Sequence, residues 1–254
     1  MLNLYKVIHK DFKSFNKDLE DFVFSFESTG EYYQNSRNKL KLFNLSNLTI
    51  NVKAFRVPNI FNQIAYKFFR KSKAQRSYEY ANKLIDMGIG TPQPIAYYEF
   101  TTPFLFKKSY FISEHLKCDL TYRELTTNFD YPDYETILRA FTRFTFELHQ
   151  KNIHFFDHSP GNTLIKKNKD YYDFYLVDLN RMKFKPMDFK TRIKNFSRLT
   201  IHKSMVEIMS DEYAKLCNED YNKVFDLMWS YTEKFQRKYH RKKRLKKKLE
   251  FWKV

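Results

Sequence analysis

Only four glycines punctuate this chain of 254 residues, at 30, 88, 90 and 161. That scarcity limits what it can fold into. Neither GxxxxGK(S/T) nor GxGxxG can be assembled from those positions, so a P-loop and a dinucleotide fingerprint are both excluded. Gly88 follows "EYANKLIDM", a helical stretch, and reads as its C-cap. Gly90, with Pro92 and Pro94, prolongs that turn. Gly161 lies in "FFDHSPGNTLI", where a Ser-Pro-Gly-Asn cluster marks a turn between Asp157 and an apolar run.

Hydrophobic periodicity supplies the elements between these breaks. Residues 9–22 carry Phe12, Phe15, Leu19 and Phe22 on one helical face. "EYYQNSRNKLKLFNLSNLTINVKAFR" alternates around the turn clusters "NSRN" and "NLSN", which predicts antiparallel strands over 31–35, 38–44 and 48–56. "PNIFNQIAYKFFRK" and "SYEYANKLIDM" read as helices, with Pro58 opening the first. "PIAYYEF" and "SYFISEHL" read as two further strands. A long helix follows from Tyr134, with Ile137, Phe141, Phe144 and Leu148 along one side. Short strands are expected near 163–166 and 173–178, and helix from about 188 onward. Strands followed by helices imply an α+β fold in two lobes, a five-stranded antiparallel N-lobe over 1–116 and a mainly helical C-lobe over 117–254.

Four places along this pattern carry polar residues suited to chemistry. Lys53 lies inside the third strand, in "INVKAFR". Glu79 lies on the helix after it. Asp157 and Asn162 stand five apart in the turn, and Asp178 ends the apolar run "FYLVD". Each has an ordinary reading: a solvated strand lysine, a surface glutamate, two turn residues, a cap. Together, and in this order, they match what phosphoryl transfer from ATP requires. A Lys on the phosphates is held by a helical carboxylate, an Asp faces the acceptor hydroxyl, and an Asn and a second Asp hold Mg²⁺. The protein-kinase pattern has the same spacing of Asp and Asn and the same strand contexts.

The chain resembles the lipopolysaccharide core kinases, the Kdo/heptose kinase family, most closely their Bacteroidetes-type members. The resemblance rests on "INVKAFRVPNIFNQIAYKFFRKSKAQRSYEYANKLIDMGIGTPQPIAYYE", "SYFISEHL", "DHSPGNTLI" and "LVDLNRMKF", within about 49–185. It implies a bilobal protein-kinase-like fold and transfer of the ATP γ-phosphate to a sugar hydroxyl of the lipopolysaccharide core, Kdo-lipid A in the first instance. It implies Asp157 as the catalytic residue, Lys53, Glu79, Glu114 and Leu116 as the ATP site, and Asn162 and Asp178 as the Mg²⁺ ligands. It also implies work at the cytoplasmic face of the inner membrane. Three departures stand out. Phe155 and Phe156 replace the histidine and arginine expected before the catalytic Asp, the Asp-Phe-Gly triplet becomes Asp178-Leu179-Asn180, and "NSRN" with Arg37 stands where a glycine-rich loop is expected.

Charge bears on the partner. The chain has 46 Lys and Arg against 29 Asp and Glu, a net +17, which calls for an anionic partner. Lys67, Arg70, Lys71, Lys73 and Arg76 are expected on one helix face beside the Lys53–Glu79 unit, with Arg70, Lys73 and Arg76 as candidates for binding an anionic, lipid-linked sugar. From Arg237 to Lys253 ten Lys or Arg face one Glu, and Leu245, Leu249 and Trp252 are spaced as apolar anchors of an interfacial helix on an anionic membrane. The competing reading of that tail is a final helix packed on the second lobe. No RRM, KH or zinc-finger pattern is present, so nucleic acid is not an expected partner. A protein kinase or small-molecule kinase of the same fold remains the alternative. Mean hydropathy is -0.67 and hydrophobic residues make up 43%, with no apolar run near the roughly 18 residues of a membrane span. "MLNLYKVIHKDFK" has no signal-peptide core, and two cysteines fit a reduced compartment.

Overall fold

The computed structural model describes residues 2–35 and 38–251, without the side chains of Asn35, Lys247 and 249–251. Arg37 and Trp252, and the side chain of Leu249, lie outside these described residues. The chain divides into two compact units, 1–117 together with 177–180, and 118–176 together with 181–254.

The first unit is built on an antiparallel sheet of six strands: β1 (Asn3–Ile8), β2 (Glu31–Asn35), β3 (Lys39–Leu45), β4 (Leu48–Phe55), β5 (Pro94–Thr101) and β6 (Phe106–Glu114). Their order is β1-β5-β6-β4-β3-β2. The expected five-stranded N-lobe is therefore corrected to six strands. The added one, β1, pairs with β5 from Asn3↔Thr101 to Ile8↔Ala96. It is an edge strand with no buried residue, so its sequence lacks the strong alternation that a half-buried strand imposes. The helix expected over 9–22 is a 3-10 turn (Lys10–Phe15) followed by α1 (Asn16–Phe24).

Period-two alternation places Ile50 and Val52 of β4 in the core, with Leu19, Val23, Phe26, Ile95, Tyr98 and Ile112. Lys53 therefore points to the other face, with Phe55. On that face α3 (Lys73–Asp86) packs through Ala74 against Phe55 and Tyr97. Ser72 caps α3, its Oγ accepting from Gln75 N at 3.1 Å. Gly88 closes it with φ +70°, and Ile89 N donates to Leu84 O at 2.8 Å, the C-terminal turn expected of this glycine. Buried Lys41 donates to Phe26 O at 2.7 Å and Thr29 O at 2.6 Å, which fixes the turn before β2. Between β4 and α3 lies α2 (Ile60–Phe68), capped by Asn59.

The second unit centres on α5 (Tyr134–Gln150), whose Ile137, Leu138, Phe141 and Leu148 join Leu120, Ile165, Phe196, Met209 and Tyr213 in the interior. Around it lie β7 (Leu120–Thr121), α4 (Tyr122–Leu125), β8 (Ile153–Phe155), β9 (Thr163–Lys167), β10 (Tyr172–Leu176), β11 (Met182–Phe184), α6 (Phe189–Lys194), α7 (Lys203–Cys217) and α8 (Tyr221–Phe251). The hairpin of β9 and β10 matches the expected strands, with the second ending at Leu176. The two- and three-residue strands β7, β8 and β11 are too short to leave a periodic pattern. β8 pairs with β11 and leads directly into the Asp157 turn. α8 anchors itself with buried Val224, Met228 and Thr232, then continues as helix with residues 237–246 exposed.

Candidate active site

Lys53 and Asp178, 125 positions apart, meet in the first unit: Lys53 Nζ donates to Asp178 Oδ1 at 2.8 Å. Asp178 adopts φ +59°, a left-handed conformation that Asp tolerates but that costs of order 1 kcal/mol or more. Asn180 Nδ2 holds the same oxygen at 2.7 Å.

The expected Lys53–Glu79 pair is not made. Glu79 accepts instead from Lys71 Nζ at 2.8 Å and from Gln75 Nε2 at 3.0 Å. The reason is local. Gln75 is one helical turn before Glu79, and Lys71 sits in the connection just before α3, so both reach the carboxylate without long-range ordering. Glu114 closes β6, its N–H donating to Gln93 O at 2.9 Å. Leu116 follows in the extended segment beyond it, half-buried.

In the second unit the Asp157 turn is held from three sides. Asn162 Nδ2 donates to Asp157 O at 2.8 Å, which leaves the amide oxygen as the free acceptor of that side chain. Arg181 Nη1 and Arg198 Nη1 both donate to Asp157 Oδ1, at 3.0 and 2.9 Å. Arg198 also donates to Phe156 O at 2.7 Å, and its guanidinium stands over the Phe235 ring. Two arginines from distant positions thus hold the Asp157 carboxylate. Sequence reasoning passed over both, and no local pattern marks them.

Gly161 has a different role from the one its turn context suggests. Its φ is not in the left-handed region, so a compact Pro-Gly turn does not require glycine there. A Cβ would lie 2.6 Å from Arg123 Nη2. Glycine leaves room for the exposed Arg123 guanidinium to lie against the turn. Arg123 is a further residue that the sequence reading missed.

Beneath the turn two histidines are buried. His158 Nε2 faces Thr145 Oγ1 at 3.2 Å, and its ring stacks on Phe141. His149 bridges Tyr213 Oη at 2.9 Å and Asn195 Oδ1 at 3.2 Å, and Asn195 in turn donates to Phe155 O at 2.8 Å. Burial pushes both imidazoles down to about 3, far below the usual value near 6.5. Folding keeps them neutral, whereas the unfolded chain binds their protons. Their contribution is whole above about pH 6.5 and drains as pH falls towards 3, by about 1.4 kcal/mol per pH unit for each. The melting temperature should therefore fall between about pH 6.5 and pH 5. The fall should be shallower for His158→Gln. A flat profile in wild type would show that these rings are not held neutral.

Among the described residues no cluster of three His, Cys, Asp or Glu is placed to hold a metal ion. The Asp178 carboxylate in the first unit and the Asn162 amide oxygen in the second are each hard oxygen donors, the kind that Mg²⁺ takes.

The proposed acceptor residues do not share one helix face. α2 ends at Phe68 and α3 begins at Lys73, so 67–76 straddles a break. Arg70 Nη2 donates to Asn62 Oδ1 at 2.7 Å, and its guanidinium lies over the Tyr66 ring. Arg76 Nε donates to Ser72 O at 3.2 Å. Lys73 lines a cleft with Arg56, Asn62, Tyr66 and Ser109.

The family model described as "Lipopolysaccharide kinase (Kdo/WaaP) family" matches residues 56–227. Among solved structures, "WaaP in complex with acyl carrier protein" superposes with a TM-score of 0.64 at 14% identity, over 93% of this chain and 98% of that one. A structure of WbdD with a kinase inhibitor matches at a TM-score of 0.45 and 14% identity, over 82% of this chain and 45% of that one. No curated protein matches at a significant level.

Proposed function

The chain belongs to the lipopolysaccharide kinase (Kdo/WaaP) family, phosphotransferases with a sugar hydroxyl as acceptor, and on that premise we propose that it phosphorylates Kdo in a lipid A-linked inner core, using ATP and Mg²⁺. The observation that carries the nucleotide half of this reading is the Lys53–Asp178 ion pair. It unites in one unit the two residues assigned separately to phosphate and metal, although nothing in their local sequence links them.

The residues divide the work. Lys53 supplies a cation for the phosphates of the donor. By the family pattern, Asp178 and Asn162 would each supply an oxygen ligand to Mg²⁺. When bound, Mg²⁺ neutralises phosphate charge as it builds up during transfer. Asp157 orients the acceptor hydroxyl and takes its proton. Arg181 and Arg198 both engage Oδ1, which leaves Oδ2 to the acceptor. Preset hydrogen bonds of this kind lower the barrier because they need no reorganisation as the reaction proceeds. Arg123, against the same turn, presents a planar cation suited to an acceptor carboxylate or phosphate. Glu79, bonded to Lys71, supports α3 in this arrangement rather than clamping Lys53.

Radiolabel transfer from ATP to a panel of acceptors tests the reading: Kdo-lipid A, heptosylated core, a soluble sugar and a protein. Labelling of Kdo-lipid A alone is the expected result. Labelling of the protein alone would move the chain to the alternative.

We further propose that the basic end of α8 holds the enzyme on an anionic surface, at the cytoplasmic face of the inner membrane. Residues 237–246 are exposed, Leu245 included, which argues against a core role for this stretch. Among the described residues no helix is long and apolar enough to cross a membrane. Removing 237–254 should leave phosphorylation of a soluble sugar and the melting temperature nearly unchanged. Binding to anionic vesicles should weaken, and raised salt should mimic the truncation, since such attraction is screened within about 8–10 Å. Insolubility or a large drop in melting temperature on truncation would assign the tail to the core instead.

A further inference from the structure

Helix α2 is the most apolar helix of the first unit, yet it has no fully buried residue. All of its residues are half-buried or exposed, whereas α1, α3, α5 and α7 each bury two or more. Ile60, Phe61, Ile64 and Phe68 fall within roughly 100° of one another around the helix, and all four are exposed. Val57 before the helix and Phe69 after it extend the patch, and Phe61 and Phe69 are each 79% exposed. A contiguous apolar patch of this kind on a folded chain marks a binding surface.

The surrounding charge selects the occupant. From Arg56 to Tyr78 the sequence holds Arg56, Lys67, Arg70, Lys71, Lys73 and Arg76, and no Asp or Glu. Lys71 is paired with Glu79, and the excess is positive over the whole segment. A second copy of the chain would set one basic rim against another. A nucleic acid would leave the isoleucines and phenylalanines in water. An anionic bilayer offers both what the rim and what the centre need, acidic headgroups and a hydrocarbon boundary.

We propose that α2 and its flanks, from Val57 to Phe69, insert into the interface of an anionic bilayer. The choice of a bilayer rests on the reading of a lipid-linked acceptor. The insertion is a second attachment beside the basic tail and differs from it in kind. The tail is held by charge and released by salt, whereas the patch is held by buried apolar area and resists salt. Two weak signals together give stable attachment where one gives reversible binding.

The test is flotation of the full-length protein with phosphatidylglycerol-containing vesicles that carry no sugar acceptor. Phe61→Ser combined with Phe69→Ser keeps every charge and removes no buried side chain, so the melting temperature and phosphorylation of a soluble sugar should not change. Vesicle binding should fall by about ten-fold or more, and the remainder should vanish in high salt. In Phe61→Trp, brominated lipids should quench the new fluorescence beyond that of the native tryptophans. Wild-type flotation by the double variant, together with no added quenching in Phe61→Trp, would overturn the proposal. A dimer in size exclusion that the double variant splits would assign the face to a second copy. Protection of 57–69 from hydrogen exchange by a purified acidic protein, but not by vesicles, would assign it to a protein partner. Failed flotation leaves transfer from ATP untouched as a measurement, and failed transfer leaves flotation untouched, so the two readings fail separately.

Discussion

Asp157→Asn should abolish most sugar phosphorylation, with a loss of about 10²–10⁴-fold in turnover, while the protein melts within a few degrees of wild type. The amide keeps an oxygen that can accept from Arg181 and Arg198, so the turn stays in place. What is lost is the negative charge and the capacity to take the acceptor's proton. Asp157→Ala adds a second effect. It strips the carboxylate from Arg198, whose Nε is already buried without a hydrogen-bond partner, and a guanidinium left unpaired in a partly buried place is costly. The alanine variant should therefore be both inactive and less stable, and the asparagine variant only inactive. Single-turnover transfer from ATP together with thermal melts separates them. Near wild-type turnover in Asp157→Asn would remove Asp157 from the role of base.

Lys53→Met should lower kcat/KM for ATP by about 10²–10³-fold, the range seen when one preset donor to a developing charge is removed. Methionine matches the length of the lysine stem, so its packing near the Phe55 ring survives. Asp178 loses its ion-pair partner but keeps Asn180 Nδ2 at 2.7 Å, and about a third of its side chain is exposed to water, so the stability loss should be small. Asp178→Asn should show the complementary defect: a loss of Mg²⁺-dependent ATP affinity, because an anionic oxygen has been exchanged for a neutral one. If Lys53→Met instead melts far below wild type with intact specific activity, the ion pair is a structural tie. Glu79→Gln is the informative contrast. Because Lys71 and not Lys53 bonds Glu79, that variant should lose far less activity than Lys53→Met.

The elements that hold the candidate residues are legible in the sequence, because each is encoded over a short window. Alternation in "LTINVKAF" puts Lys53 opposite the Ile50 and Val52 face, and β4 has that register. The apolar spacing from Ile137 to Leu148 specifies the buried face of α5. Gly88 terminates α3 because one positive φ suffices there. Asp157 and Asn162 share a turn because the Ser-Pro-Gly between them reverses the chain, with Asn162 N donating to Ser159 O at 2.9 Å.

What tertiary structure alone decided is which charges meet. The sequence pairs Lys53 with Glu79; its pairing with Asp178 instead rests on the placement of Val177–Asn180 with the first unit and on Lys71 and Gln75 satisfying Glu79. The arginines on Asp157 come from 24 and 41 positions away, and no periodicity ties an arginine to a carboxylate at that distance. Arg123 against Gly161 is likewise a packing fact, invisible in a Pro-Gly dipeptide whose backbone turns out not to be left-handed. Edge strand β1 was hidden because neither of its faces is buried, and burial is what writes a pattern into sequence. The exposed face of α2 is the converse: its apolar spacing reads as a helix, and only the fold shows that none of the described residues covers that face.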